Sequence, residues 1–182
     1  FADGLKLSPE RLEAAITPRS RWVIINSPSN PTGMGYSADE LRAFADVIRR
    51  HPKLMVISDD LYEHLTYDGF EFSTIAGLAP DLGDRVLTLN GVSKSYCMTG
   101  WRIGFAAAPL ALVKAMAKLQ SQSTSSPGSI AQHAAVAALN GPTGFIAENN
   151  AAFARRRAIV MAALNAMDGV SCQAPDGAFY VF

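Results

Sequence analysis

An amide, a carboxylate, a phenol, an amine and a guanidinium follow one another along this sequence in places where side chains are free to react. Asn30 stands in the turn cluster Asn26-Ser27-Pro28-Ser29-Asn30-Pro31-Thr32-Gly33. Asp59 and Tyr62 lie in Ser58-Asp59-Asp60-Leu61-Tyr62, and Ser93 and Lys94 close Asn90-Gly91-Val92-Ser93-Lys94, with Arg102 eight residues past the lysine. The first three groups of residues each follow a short apolar run, and in open α/β sheets ligands bind beyond the carboxyl ends of the strands. Taken singly, each has an ordinary explanation. A lysine after a strand is usually solvated, Asp-x-x-Tyr is usually a helix start with a core aromatic, and Asn-Pro-Thr-Gly is common turn chemistry. Their occurrence together and in this order makes coincidence a poor explanation.

The set matches what pyridoxal phosphate requires of a protein. A primary amine must condense with the aldehyde and then shuttle the Cα proton of an amino acid, two roles that one lysine can fill; Lys94 is the candidate. A carboxylate must keep the pyridine nitrogen protonated, because the ring withdraws electrons effectively only when that nitrogen is positive. Asp59 suits this role, and a buried Asp59 would stay anionic only beside such a cation. Tyr62, three residues on, is expected one helical turn away on the same face. It can donate to the ring hydroxyl, with the Asn30 amide as second partner. Arg102 offers a planar fork for the phosphate and Ser93 a hydroxyl.

Positioning these groups requires alternating strands and helices. Val23-Ile24-Ile25, Leu54-Met55-Val56-Ile57, Val86-Leu87-Thr88-Leu89 and Ile103-Gly104-Phe105-Ala106-Ala107 read as strands. Their continuous apolarity predicts a sheet covered on both faces. Ser37 with Glu40 three positions on forms a capping signature for a helix to about Arg50. From Pro109 the chain turns helical, with a break from Ser121 to Gly128, further helix through Asn140 and a long helix from about Thr143 to Met167. Asp168-Gly169 marks a turn and a domain boundary. The ending Gly177-Ala178-Phe179-Tyr180-Val181-Phe182 reads as a strand cut off in mid-course. With no initiator Met or basic-then-apolar signal at Phe1-Ala2-Asp3-Gly4, the chain is expected to be the central piece of a longer protein.

Composition excludes several function classes. The 182 residues hold 16 basic and 16 acidic side chains, and no Lys/Arg run exceeds Arg155-Arg156-Arg157, itself read as a solvated face. A general attraction to nucleic acid or anionic membrane is not signalled, which leaves a small molecule as the natural partner. Cys97 and Cys172 are 75 positions apart and the three histidines are scattered, so no disulfide framework or zinc site is expected and a reducing cytoplasm is the default compartment. No apolar run reaches the length of a membrane span. Structural roles are expected elsewhere: Trp22 in the core, Cys97 packed behind its loop, Trp101 packing the same loop and His64 hydrogen-bonded.

These motifs resemble those of class I/II aminotransferases. Asn26 to Gly33 is similar to the family's asparagine-proline motif, and Ser58-Asp59-Asp60-Leu61-Tyr62-Glu63 to its acid-and-tyrosine segment. Ser93-Lys94 with Met98-Thr99-Gly100-Trp101-Arg102-Ile103-Gly104 is similar to its cofactor-lysine signature. The spacing agrees, with 29 positions from Asn30 to Asp59 and 35 from Asp59 to Lys94. The resemblance implies the large domain of a fold-type-I enzyme, an α/β/α arrangement of three layers with a mostly parallel sheet over residues 1–167, and the start of a small α+β domain at 168–182. It also implies pyridoxal 5'-phosphate on Lys94, with Asn30, Asp59, Tyr62, Ser93 and Arg102 around it and Asn30 shared with the substrate carboxylate. Around Lys94 and in Tyr62-Glu63-His64-Leu65-Thr66-Tyr67-Asp68 the wording is most similar to bacterial aspartate aminotransferases, including those that accept prephenate. Amino-group transfer from an L-amino acid, aspartate first, to 2-oxoglutarate follows, in a homodimer. The family's second carboxylate-binding arginine, its glycine-rich phosphate loop and its stacking aromatic fall outside these residues, so the chain alone is expected to be inactive. Two other functions share the motifs: a β-lyase or synthase on the same fold, and the effector-sensing domain of a transcription regulator.

Overall fold

The computed structural model describes residues 4–182; the opening Phe1-Ala2-Asp3 lies outside them. Four strands form one sheet in the order β1 (Trp22–Asn26), β2 (Met55–Asp59), β3 (Val86–Gly91) and β4 (Gly104–Ala107). The first three are parallel, with Asn26 opposite Asp59 and Asp59 opposite Leu89. β4 returns antiparallel and pairs Gly104 with Gly91. That reversal puts the start of β4 beside the end of β3, so Arg102 reaches the same edge of the sheet as the residues that follow β1, β2 and β3. The result is a mostly parallel α/β fold.

Helix α2 (Ala38–Arg50) begins with the expected capping box: the Ser37 hydroxyl accepts from the Glu40 N–H at 3.3 Å, and the Ser37 N–H donates to the Glu40 carboxylate at 2.8 Å. Leu41, Phe44, Val47 and Ile48 of this helix pack with Ile25, Val56 and Val86 into the main core, joined by Leu12 and Ile75. Full burial of such side chains stabilises by about 1.5–3 kcal/mol each before chain entropy is counted. Leu12 comes from α1 (Pro9–Ala15), which the sequence reading missed; Ser8-Pro9-Glu10, an N-cap followed by a first-turn proline, was its signal. Ile75 opens the short α3 (Ile75–Leu78).

The sheet is not covered on both faces, contrary to the expectation from its apolar runs. Ile25 is buried while its neighbour Ile24 is 67% exposed, and β4 is exposed along its length. Successive side chains point to opposite faces, and α2 packs on the face that Ile25 shares. Trp22 lies on the Ile24 face and is exposed for the same reason, not in the core. The later helices follow the predicted order: α4 (Leu110–Ser123) begins after Pro109 and continues into the expected break, α5 (Ser129–Asn140) follows, and α6 (Gly144–Asn165) is the long one. Among the described residues, no helix is long and apolar enough to cross a membrane.

The ending is not a strand. Ala178 has φ +58°, and Gly177 makes a single antiparallel bridge to Thr66. The segment is threaded between two loops: the Gly177 N–H donates to the Gly33 carbonyl at 2.9 Å and the Ala178 N–H to the Leu65 carbonyl at 2.8 Å. A Cβ on Gly33 would lie 2.4 Å from the Pro175 side chain, and one on Gly177 2.4 Å from Pro28, so both glycines are required by close approach.

Candidate active site

Asn26, the last residue of β1, ties two arms of the site together. Its side-chain amide donates to the Asp59 carbonyl at 3.0 Å, and its side-chain oxygen accepts from the Asn30 N–H at 2.7 Å. The loop that presents Asn30 contains cis peptides before Pro28 and Pro31. Sequence reasoning passed over Asn26 because its role is to hold the loop, and only its position at the strand end hints at that.

Asp59 ends β2 and is half-buried. The deeply buried acid is its neighbour Asp60, 4% exposed, which accepts a hydrogen bond from the Ser58 hydroxyl at 2.7 Å. Asp60 and Ser58 share one side of the chain and Asp59 takes the other, as strand alternation dictates. Burial pushes the Asp60 carboxyl above its ordinary range, and the Ser58 hydrogen bond partly offsets this.

Tyr62 follows through two successive turns and not through a helix: the Glu63 N–H donates to the Asp60 carbonyl and the Leu65 N–H to the Tyr62 carbonyl, each at 2.9 Å. Tyr62 is buried, and its hydroxyl lies 2.6 Å from that of Tyr180. Burial above all, with the charge of Asp59 adding to it, holds the Tyr62 phenol well above the usual range, while the Asn30 side chain acts in the opposite direction. Phe179 meets Tyr62 edge-on with ring centres 5.7 Å apart. Neither Phe179 nor Tyr180 was singled out from the sequence. No local signal marks them, because the contact joins positions 118 residues apart.

Lys94 sits in the loop that leaves β3, half-buried, with Nζ 6.0 Å from the centre of the Tyr62 ring and 5.8 Å from that of Phe179. An ammonium at that range is attracted by ring faces. Among the described residues the amine has no carboxylate partner. Ser93, Asp59 and Arg102 line one cleft of about 620 Å³ together with Asn90, Phe105 and Gln120. Arg102 has φ +55° and donates one guanidinium N–H to the Thr99 carbonyl at 2.9 Å, which leaves most of its fork without a carboxylate among the described residues. The structure thus places the six candidates in two adjoining groups. Asp59, Ser93 and Arg102 share the cleft; Tyr62 and Lys94 meet in an aromatic cluster with Phe179 and Tyr180; Asn30 is exposed and bears on Tyr62. Asp59 links the groups, since it lines the cleft and its charge reaches the Tyr62 phenol.

Three residues expected to have bland roles differ from expectation. Cys97 is exposed and not packed behind its loop, and Trp101 is 45% exposed. Arg157 is no solvated residue: it pairs with Asp68, donates to the Pro175 carbonyl at 2.7 Å and lies 4.7 Å from the centre of the Tyr67 ring. His64 Nε2 lies 3.3 Å from the Glu63 carboxylate.

The donor set fits pyridoxal phosphate: an amine in no ion pair among the described residues, an acid and an arginine in one cleft, and a phenol at their junction. The sequence matches the profile of the aminotransferase class I and II family from residue 1 to residue 182, and the chain belongs to that family. It is 59% identical over 98% of its length to the aspartate/prephenate aminotransferase of Cereibacter sphaeroides and 57% identical over 100% to the aspartate aminotransferase of Rhizobium meliloti. It covers 45% and 44% of those two proteins, so the chain spans under half the length of the curated relatives it matches. The crystal structure of the aspartate aminotransferase from Rhizobium meliloti superimposes with a TM-score of 0.97 at 55% identity, covering 100% of this chain and 46% of that one. The aspartate aminotransferase of Thermus thermophilus with maleate gives 0.89 at 40% identity, covering 99% and 46%.

Proposed function

We propose that the polypeptide carrying this chain transfers an amino group between L-aspartate and 2-oxoglutarate, with pyridoxal 5'-phosphate held by Lys94. The observation that carries this reading is the convergence of Lys94, Asp59, Tyr62, Ser93 and Arg102 at one sheet edge; relatives named as aspartate aminotransferases at 57–59% identity support the substrates. Bound pyridoxal phosphate supplies a protonated ring that accepts the electron pair released at the substrate Cα. Lys94 would hold the cofactor through its amine and would carry the proton of the substrate Cα. Asp59 keeps the ring nitrogen protonated, Tyr62 and Asn30 donate to the ring oxygen, and Ser93 and Arg102 hold the phosphate. Asn30 also contributes to gripping the substrate carboxylate.

Residues 1–167 form the cofactor domain in this reading, and 168–182 begin a smaller one. A homodimer in a reducing cytoplasm belongs to the same reading; apolar side chains exposed on α4 and α5 support the assembly, and the unpaired cysteines suit the compartment. Lys94→Ala is expected to abolish the visible absorbance of the cofactor-loaded protein and to lower turnover by at least about 10²–10⁴-fold. Asp59→Ala should be nearly as harmful, and Tyr62→Phe should retain much of the activity. Unchanged turnover in Lys94→Ala would end this assignment.

A further inference from the structure

The residues that follow Gly177 reach the site from the far end of the chain, and Tyr180 touches the one phenol to which the proposed function gives a donor role. Two hydroxyls 2.6 Å apart share a single proton between them, which leaves the second proton of the pair free to be donated elsewhere. If Tyr62 donated to Tyr180, it would have no proton left for an acceptor in the site. If Tyr180 donates, the Tyr62 oxygen is satisfied and its proton remains available. We propose that Tyr180 is a positioning residue that donates to the Tyr62 oxygen and so commits the Tyr62 proton to the cofactor's ring oxygen. This rests on the reading of the site as one for pyridoxal phosphate.

The placement of Tyr180 is built by several contacts. Its ring meets that of Tyr62 at 79° with centres 5.8 Å apart, and Phe179 packs on both. Behind the pair, the Gly35 N–H donates to the Asp176 carboxylate at 2.9 Å, the Tyr67 hydroxyl donates to the Ala178 carbonyl, and Arg157 holds the Pro175 carbonyl while pairing with Asp68. Chained hydrogen bonds polarise one another, so a donor behind Tyr62 makes Tyr62 a better donor in front.

The test uses the full-length, cofactor-loaded polypeptide and reads the pH midpoint of its visible absorbance change. A donor to the ring oxygen stabilises the form that has lost its proton, so removing one raises the midpoint. Tyr62→Phe is expected to raise it most. Tyr180→Phe, which removes a single oxygen atom and keeps the ring, should raise it in the same direction by less. The double variant should match Tyr62→Phe alone, because Tyr180 acts only through Tyr62. A second reading comes from cofactor-free protein, where ultraviolet phenol titration should show Tyr62 ionising at higher pH in Tyr180→Phe, because the lost donor no longer stabilises its phenolate; ionisation at lower pH would mean that Tyr62 donates to Tyr180 and would overturn the proposal. An unmoved absorbance midpoint in Tyr180→Phe, or shifts that add in the double variant, would overturn the proposal. Absence of any visible band in the unaltered protein would instead remove the cofactor reading on which it rests.

Discussion

The two halves of the chain place their apolar residues differently. Between α1 and β3, Leu41, Phe44, Ile48, Leu54, Val56, Ile75 and Leu82 are each at most 2% exposed. Between β4 and the end of α6, Leu110, Leu119, Ile130 and Ile159 are 67% to 77% exposed, and the buried residues of α4, α5 and α6 are Ala135 and Ile146. The first half closes its own core. The second leaves large apolar side chains exposed. The candidate site lies on the seam, since Asp59 and the loop of Lys94 stand on the closed half, whereas Phe105 and Gln120 in the cleft wall belong to the open one. The acid and the lysine therefore have a stiff foundation, and the far wall of the cleft has a softer one.

The sharpest way to break this comparison is to truncate one side chain in each half. Phe44→Ala should cost about 3–5 kcal/mol, because a fully buried ring leaves a cavity. Leu119→Ala should change the stability of this chain by no more than about 0.5 kcal/mol. Urea unfolding of both variants measures the difference, and equal costs would mean that the open half is packed as well as the closed one.

Arg157 crosses the seam, since it belongs to α6 yet reaches Asp68, Tyr67 and Pro175. Arg157→Gln should lose about 1.5–3 kcal/mol, the range for hydrogen bonds to charged groups. It should also free the segment that carries Phe179 and Tyr180, visible as faster amide exchange at Gly177 and Ala178. Protection unchanged at those amides would show that the segment holds itself in place. A smaller effect is expected wholly within the closed half, where Ser37→Ala removes one side of the capping box at a cost of about 1 kcal/mol in thermal or urea unfolding. An unaltered midpoint would mean that the packing of α2 makes its cap redundant.

The same contrast explains what could be read from the sequence. Ser37 and Glu40 announce α2 because a cap is a local, four-residue device, and the ends of β1, β2 and β3 announce the site because turn chemistry follows apolar runs. Cover on both faces could not be read from Ile24, since an apolar strand looks the same whether or not something lies over it. Tyr62 stands on the expected segment, but two turns, closed by the Glu63 N–H to the Asp60 carbonyl and the Leu65 N–H to the Tyr62 carbonyl, stand where a helical turn is expected. Arg157 and Tyr180 were invisible as partners of the site because their contacts join positions 89 and 118 residues apart. An arginine run and a terminal aromatic pair carry no local sign of such partners.

The smallest effect separates a buried charge from a surface one inside the closed half. Burial raises the Asp60 carboxyl, so over the window between the ordinary carboxylate value of about 3.9 and its raised folded value the native state keeps a proton that the unfolded chain has released. Stability contributed by Asp60 is therefore present below that window and lost as pH rises through it. Asp81 behaves oppositely: hydrogen bonding and charge from Arg49 lower its carboxyl, so its contribution is present above the ordinary value and lost as pH falls. Asp60→Asn should flatten the decline on the rising side of the profile, with little dependence on salt, because the interior is poorly screened. Asp81→Asn should flatten the acid side instead, and that effect should fade in high salt because the Arg49 pair is exposed. Urea midpoints measured from acid to neutral pH at low and high salt distinguish the two. A salt-sensitive effect at Asp60 would mean that solvent reaches the floor beneath Asp59, and the stiffness assigned to the closed half would not hold there.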